Sequence, residues 1–251
     1  MFFNKYKIYL YGGIGNQILN LLIQIEKAIK ESIEPSNIEI VICKYDKAQK
    51  NRLFHNAEDL TKYISLNKKI KLSITFNKPK KKQKLNKENA NKIIFSLSNN
   101  YLYYFNVLED TYKNSIKKHN FIWIRGGDRK FNVEKIDEIL KIKFKGIKFN
   151  VLTNDKSLVS NFPLLKKKLV GGDSLIDFKY LMNSKLILSQ FSAFSIVPFL
   201  LSKQSQKIYI PNKNYHCRDE FPYIDEDWIF LETLLIELNQ KNPKKEFYII
   251  D

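Results

Sequence analysis

The chain has 251 residues, enough for one large α/β domain or two of about half that length. Its 44 % hydrophobic and 14 % aromatic content excludes wholesale disorder. A net charge of +17 suits an anionic partner, whether nucleic acid, an acidic membrane surface or a phosphorylated substrate. Yet only four of the 43 basic residues are arginine (Arg52, Arg125, Arg129, Arg218), and the chain is rich in Lys, Asn and Ile throughout. Composition alone therefore accounts for the charge at least as well as a selected partner does.

The N-terminus MFFNKYKIYLYGG lacks the apolar core and small-residue cleavage site of a secretory signal. A β-rich run, Lys7–Tyr11, then meets Gly12, Gly13 and Gly15, and an apolar-periodic helix is expected from Gln17 to about Lys30. Asn37–Cys43 reads as a second strand and Asn56–Ile64 as a helix. KPKKKQKLNK (Lys78–Lys87) packs six lysines around a proline and reads as a solvated loop. It carries no interleaved aromatics or arginines, so a nucleic-acid partner is disfavoured.

A second α/β series starts near Asn120. Strands are expected at Phe121–Arg125, Lys148–Thr153, Lys185–Ser189 and Lys207–Ile210. Helices are expected at Val133–Lys141, Lys156–Phe162, Leu175–Asn183, Ser195–Lys203 and Trp228–Asn239. Alternating strands and helices predict doubly wound parallel sheets, with the boundary in Val107–His119 and domains of 1–115 and 116–251. The most apolar stretch, Leu186–Leu201, is interrupted by serines, Gln190 and Pro198 and is too short to span a bilayer. The two cysteines, Cys43 and Cys217, lie far apart without a metal-type pattern, so a reducing, cytoplasmic setting and no metal are expected.

Seven of the eight glycines fall in three clusters. GGIGNQ (Gly12–Gln17) joins a strand to a helix, where backbone N–H groups and the helix dipole suit a pyrophosphate and Asn16 adds an amide. Trp123-Ile-Arg125-Gly126-Gly127-Asp128-Arg129 closes a strand and holds two of the four arginines, whose planar fork fits phosphate as lysine does not. An Arg125–Asp128 ion pair is the competing reading. Gly171-Gly172 reads as an ordinary turn. Asp177 and the serine-rich turn Ser189–Ser195 offer caps or ligand contacts, and spacing does not separate the two.

Together these segments resemble the α-1,2-fucosyltransferases and the wider fucosyltransferase superfamily. Gly12–Gln17 matches the family's GG-[LI]-GNQ, and Trp123–Asp128 resembles H-x-R-R-G-D. Leu152–Asp155 resembles FSDD, and Asp177–Ser195 is similar to D-x-x-x-M through N-S-[ST]-F-S-W-W, with Met182 one position late. The resemblance implies a GT-B fold: two Rossmann-like domains facing a cleft, the N-terminal one on the acceptor side. It implies a metal-independent, inverting hexosyl transfer, most simply of fucose from GDP-fucose, to a saccharide acceptor in surface-polysaccharide synthesis.

By the same resemblance Arg125 would grip the leaving diphosphate. Gly13, Gly15 and Asn16 would approach the phosphates from the other domain. Asp177 would read guanine, and Ser192, Phe194 and Ser195 would line the donor pocket. Trp123 stands where the family has histidine and Gly126 where it has a second arginine; Trp123 could stack on a base and Arg129 could replace the missing charge. No catalytic base is assignable: His55 and His216 have no motif around them, His119 lies about 13 Å from Trp123 along a strand, and Asp128 is expected to hold its loop. The alternatives left open are another nucleotide sugar, a non-catalytic nucleotide-sugar-binding relative and a nucleic-acid-binding protein. A lysine-rich exterior would also suit peripheral contact with an anionic inner leaflet carrying a lipid-linked acceptor.

Overall fold

The computed structural model describes residues 5–43, 60–76, 92, 101–108, 119–126, 133–190, 192–212, 233, 236–237, 239–240 and 242–250. They fall into two compact units, Met1–Glu109 and Asp110–Asp251. Each is a mixed α/β unit built on a parallel sheet. The lysine loop Lys78–Lys87, most of the expected helix Trp228–Asn239, and His55, His216 and Cys217 lie outside the described residues.

In the first unit, β1 (Tyr6–Leu10), β2 (Ile38–Cys43) and β4 (Lys71–Thr75) form a parallel sheet in the order β1-β2-β4. Helix α1 (Ile14–Lys30) makes the β1-to-β2 crossover. Ile14, Ile18, Leu21, Leu22, Ile25 and Ala28 recur at helical spacing and are all buried. The helix begins three residues earlier than its apolar period indicates, because Gln17 holds the entry: its backbone N–H reaches Gly13 O at 3.0 Å and its side-chain amide donates to Gly12 O at 2.8 Å.

Central β2 is buried along its whole length, including Glu39. That carboxylate is held ionised, its pKa pulled down first by the Ser73 hydroxyl at 2.9 Å and then by Lys71 and Lys7 on the flanking strands, 3.4 and 3.6 Å away. The expected helix Asn56–Ile64 is corrected in its described part. Leu60–Lys62 is a single 3-10 turn, and Ile64 opens β3 (Ile64–Leu66), which pairs antiparallel with β5 (Phe105–Val107). Two β-branched or apolar residues alternating with polar ones are too few to signal such strands from sequence.

In the second unit, β6 (Asn120–Ile124), β7 (Phe149–Thr153), β8 (Leu186–Ser189), β9 (Gln206–Pro211) and β10 (Lys245–Ile250) form one parallel sheet in the order β10-β9-β8-β6-β7. A single parallel bridge, Val151 to Leu169, adds a sixth position beyond β7. With that bridge counted as a third position, the chain order across the sheet is 3-2-1-4-5-6, a doubly wound order that reverses direction between β6 and β8. The expected helix Lys156–Phe162 is a 3-10 turn, Lys156–Val159, followed by the short α3 (Pro163–Lys166).

Because Ile122, Val151 and Leu188 are register partners or neighbours, they share a face with Ile124, and α2 (Val133–Ile142) lays Val133, Ile136 and Ile139 on it. The opposite face carries Phe121 and Trp123 beneath α4 (Ser174–Met182) and α5 (Ala193–Leu201), with Phe121 stacked on Tyr180 at 5.2 Å. The apolar run Leu186–Leu201 is thus split between a strand and a nine-residue helix. Among the described residues no helix is long and apolar enough to cross a membrane.

At the amino edge of this sheet Lys245 is 2 % exposed, its ammonium donating to Gln206 Oε1 at 3.1 Å and lying over the Phe199 ring. Gln206 in turn donates to Leu181, Met182 and Ser184 carbonyls, fastening the end of α4 to β9. Burial pushes the Lys245 amine down to about 7. Between that value and the ordinary lysine value the unfolded chain binds a proton that the folded chain does not, so this group makes stability rise with pH across that window. Lys245→Met is expected to stabilise the protein by about 1–2 kcal/mol at pH 7. The difference from wild type should shrink toward pH 10 in urea unfolding; an unchanged difference at both pH values would contradict the assignment.

Candidate functional site

In a parallel doubly wound sheet, ligands bind beyond the carboxyl ends of the strands where the strand order reverses, because helices there run away from a shared crevice on opposite faces. Here that point lies between β6 and β8, whose ends carry Trp123–Gly126 and Ser189–Ser192. Arg125 is half-buried and follows the last β6 residue; its carbonyl accepts a 3.4 Å hydrogen bond from the Gln190 side chain beyond β8. The two strand ends are thereby tied together at the backbone carrying the guanidinium.

Gly126 meets the end of β7. Its N–H donates to Asn154 Oδ1 at 2.7 Å, and a Cβ built on it would sit 2.4 Å from the Asp155 Cβ. Asp155 is already committed as an N-cap, accepting from the Ser157 N–H and hydroxyl. The space in which a second arginine would begin is therefore filled by the β7 turn. Gly127, Asp128 and Arg129 lie outside the described residues.

Trp123 is packed into the interior of its unit. It is 4 % exposed, with its ring 4.6 Å from Phe194, which meets Phe178 edge-on at 5.9 Å. Trp123 and Phe194 thus join α5 to the sheet in one aromatic cluster, and the Trp123 Nε1–H and the Gln190 Oε1 are buried without hydrogen-bond partners among the described residues. Such an unmet group costs about 1–3 kcal/mol.

The serines are spent locally. Ser192 caps α5 through the Phe194 N–H at 3.3 Å. The Ser195 hydroxyl donates to Ser192 O at 3.0 Å and lies 2.7 Å from Ser189 Oγ. Ser192 is thus a helix cap, whereas Ser189 and Ser195 bond to each other and to the Gln190 and Ser192 carbonyls.

Asp177 lies in the first turn of α4 and is 1 % exposed. Its carboxylate accepts from the Gly172 N–H at 3.2 Å. Burial, reinforced by the charge of Asp173, pushes its pKa up to about 7 against the opposing pull of that N–H. Gly171 passes so close that a Cβ there would lie 2.7 Å from the carboxylate and 3.0 Å from the Leu152 Cα. Gly172 has φ +141°, a backbone region that favours glycine. The pair read as an ordinary turn is therefore a clasp over Asp177, and that carboxylate is directed at its own backbone. Sequence spacing gave no sign of this contact, nor of Gln190, Asn154 or Asp155 as the ties between strand ends.

In the first unit Gly12 has φ +78°, which requires glycine, whereas Gly13 has an ordinary φ of −67° and open space where a side chain would stand. Gly13 N-caps α1 with no side-chain cap, and no acidic residue occupies the first turn. Gly15 is buried inside that turn, and Asn16 is exposed with its amide beside Gly12. These are the features of an anion-accepting helix start. Among the described residues no cluster of three or more His, Cys, Asp or Glu could hold a metal ion. Comparisons of the chain with protein-family models, with curated proteins and with solved structures found no match.

Proposed function

We propose that this protein is a metal-independent glycosyltransferase of the α-1,2-fucosyltransferase type, with a GT-B fold, that transfers a sugar from a nucleotide diphosphate, GDP-fucose first among candidates, to a saccharide acceptor. The observation that carries the reading is the meeting of Arg125, Gly126 and Gln190 at the strand-order reversal of a 3-2-1-4-5-6 parallel sheet. The described parts of three motif segments that resemble the family, Trp123–Gly126, Leu152–Asp155 and the stretch from Asp177 to Ser195, contribute to this carboxyl edge or to the helices flanking it. The uncapped, glycine-led start of α1 adds a second anion-accepting feature in the other unit.

In this reading Arg125 supplies a fixed cation where negative charge builds on the departing diphosphate. Such charge stabilisation acts in the transition state and so raises the rate. Asp177 acts by shaping the Gly171–Gly172 turn that borders the donor, and Trp123 and Phe194 support the wall beneath it. The acceptor is read as a lipid-linked surface-glycan precursor, reached from a cytoplasmic position at an anionic leaflet.

Calorimetric titration with GDP, UDP, CMP and GDP-fucose in moderate salt tests the reading. GDP and GDP-fucose are expected to bind at least about tenfold tighter than UDP or CMP, a gap of about 1.4 kcal/mol. Binding of UDP or CMP alone would remove the fucosyl assignment, and binding of none would remove the nucleotide-sugar reading altogether.

A further inference from the structure

We propose that Lys156 is the second cation of the diphosphate site, taking the part for which the sequence points to Arg129; the inference rests on the reading above. Lys156 opens the 3-10 turn that follows β7, next to Asp155, the residue on which Gly126 packs. Its side chain reaches across to the Gly171–Gly172 turn, with the ammonium 3.5 Å from where a Gly172 Cβ would stand. The end of β6 thus packs on Asp155 and the adjacent Lys156 packs on the glycine turn.

Three facts separate Lys156 from the many lysines of this surface. Its neighbour Asp155 is turned away, bonded to Ser157 N and Oγ. Asp177, on the far side of the glycine turn, is buried and accepts from Gly172 N–H. Among the described residues no carboxylate comes within ion-pair distance of the Lys156 ammonium, whereas Lys135, at the start of α2 on this same edge, is paired with Glu138 at 2.7 Å.

The geometry also fits a shared ligand. Ile124 pairs with Thr153, so Arg125 and Lys156 start one strand and about two residues apart, roughly 8 Å between Cα atoms. Two long cationic side chains at that spacing can converge on one diphosphate, the guanidinium as a fork and the ammonium as a point charge. Gly172 has no side chain to stand in the way, and its positive φ keeps it so.

The test is calorimetric titration of the full chain with inorganic pyrophosphate and with GDP, using wild type, Lys156→Ala, Lys156→Arg and, as a control, Lys143→Ala beyond the far end of α2. Lys156→Ala is expected to weaken both ligands about tenfold. Lys156→Arg should stay within about threefold of wild type and the control should be unchanged. Lys156 is exposed, so equal melting temperatures are expected for all four proteins. If wild type binds GDP and Lys156→Ala binds it equally well, the lysine assignment is overturned while the functional reading stands. If wild type binds pyrophosphate in a Lys156-dependent way but no nucleotide, the lysine stands and the nucleotide reading falls. Binding of neither ligand by wild type overturns both.

Discussion

Replacing Gly126 by alanine is expected to lower the stability of the protein by about 2–4 kcal/mol, the upper range for forcing an atom into a packed interior. The cause is geometric. The new Cβ would stand 2.4 Å from the Asp155 Cβ and 3.1 Å from a Leu158 methyl. Two β-carbons cannot rotate apart, since each is fixed by its own backbone, so either β6 or the β7 turn must shift. The shift would strain the 2.7 Å bond between Gly126 N–H and Asn154. Arginine at this position, the residue that the resembling family carries, should be worse than alanine. Thermal and urea unfolding check the claim: a fall of roughly 4–15 °C in Tm is expected, and a Gly126→Ala protein as stable as wild type would show that the turn yields freely.

Arg125→Ala is expected to cost binding rather than folding. A charged, forked hydrogen-bonding contact to phosphate is worth about 2–3 kcal/mol, so affinity for GDP or pyrophosphate should fall roughly 30- to 150-fold. The backbone at this point is held independently of the guanidinium, through the carbonyl that accepts from Gln190 and through the β6 ladder. Melting should therefore change by no more than a few degrees. Arg125→Lys should recover only part of the loss, because the ammonium lacks the planar fork. Undiminished GDP binding by Arg125→Ala would move the phosphates elsewhere.

Glycine placement and strand–helix alternation announced the parallel units because both rest on local chemistry, backbone freedom in one case and period in the other. The edges of the sheets were less legible. β4 exposes Leu72 and Ile74 yet pairs along its length with β2, and β10 is a short KEFYII run with no turn signal before it beyond Asn242 and Pro243. Within the site, Arg125 could be singled out as a rare residue in a lysine-rich chain. What could not be read is the use of each contact: Ser192 closes a helix, Trp123 packs on Phe194, and Asp177 meets Gly172. Those contacts depend on which strand ends lie side by side, a long-range property that no window of sequence contains. Gly126 illustrates the limit, since its departure from the resembling motif is explained only once Asp155 is placed beside it.

The single bridge at Leu169 has an energetic consequence for the rim of this crevice. Beyond β7 the ladder consists of Val151 N–H to Lys168 O and Val170 N–H to Val151 O, at 2.8 and 3.0 Å, whereas β6 is paired on both sides. Local openings scale with the bonds and contacts they break, so this segment has fewer ladder bonds to lose than β6, while the packing of Gly171 on Leu152 and over Asp177 adds to the cost. Arg125, one residue past the end of β6, is tied instead through its carbonyl to the Gln190 side chain. The carboxyl edge of the sheet is therefore least tied by backbone bonds at Leu169 and most tied at β6.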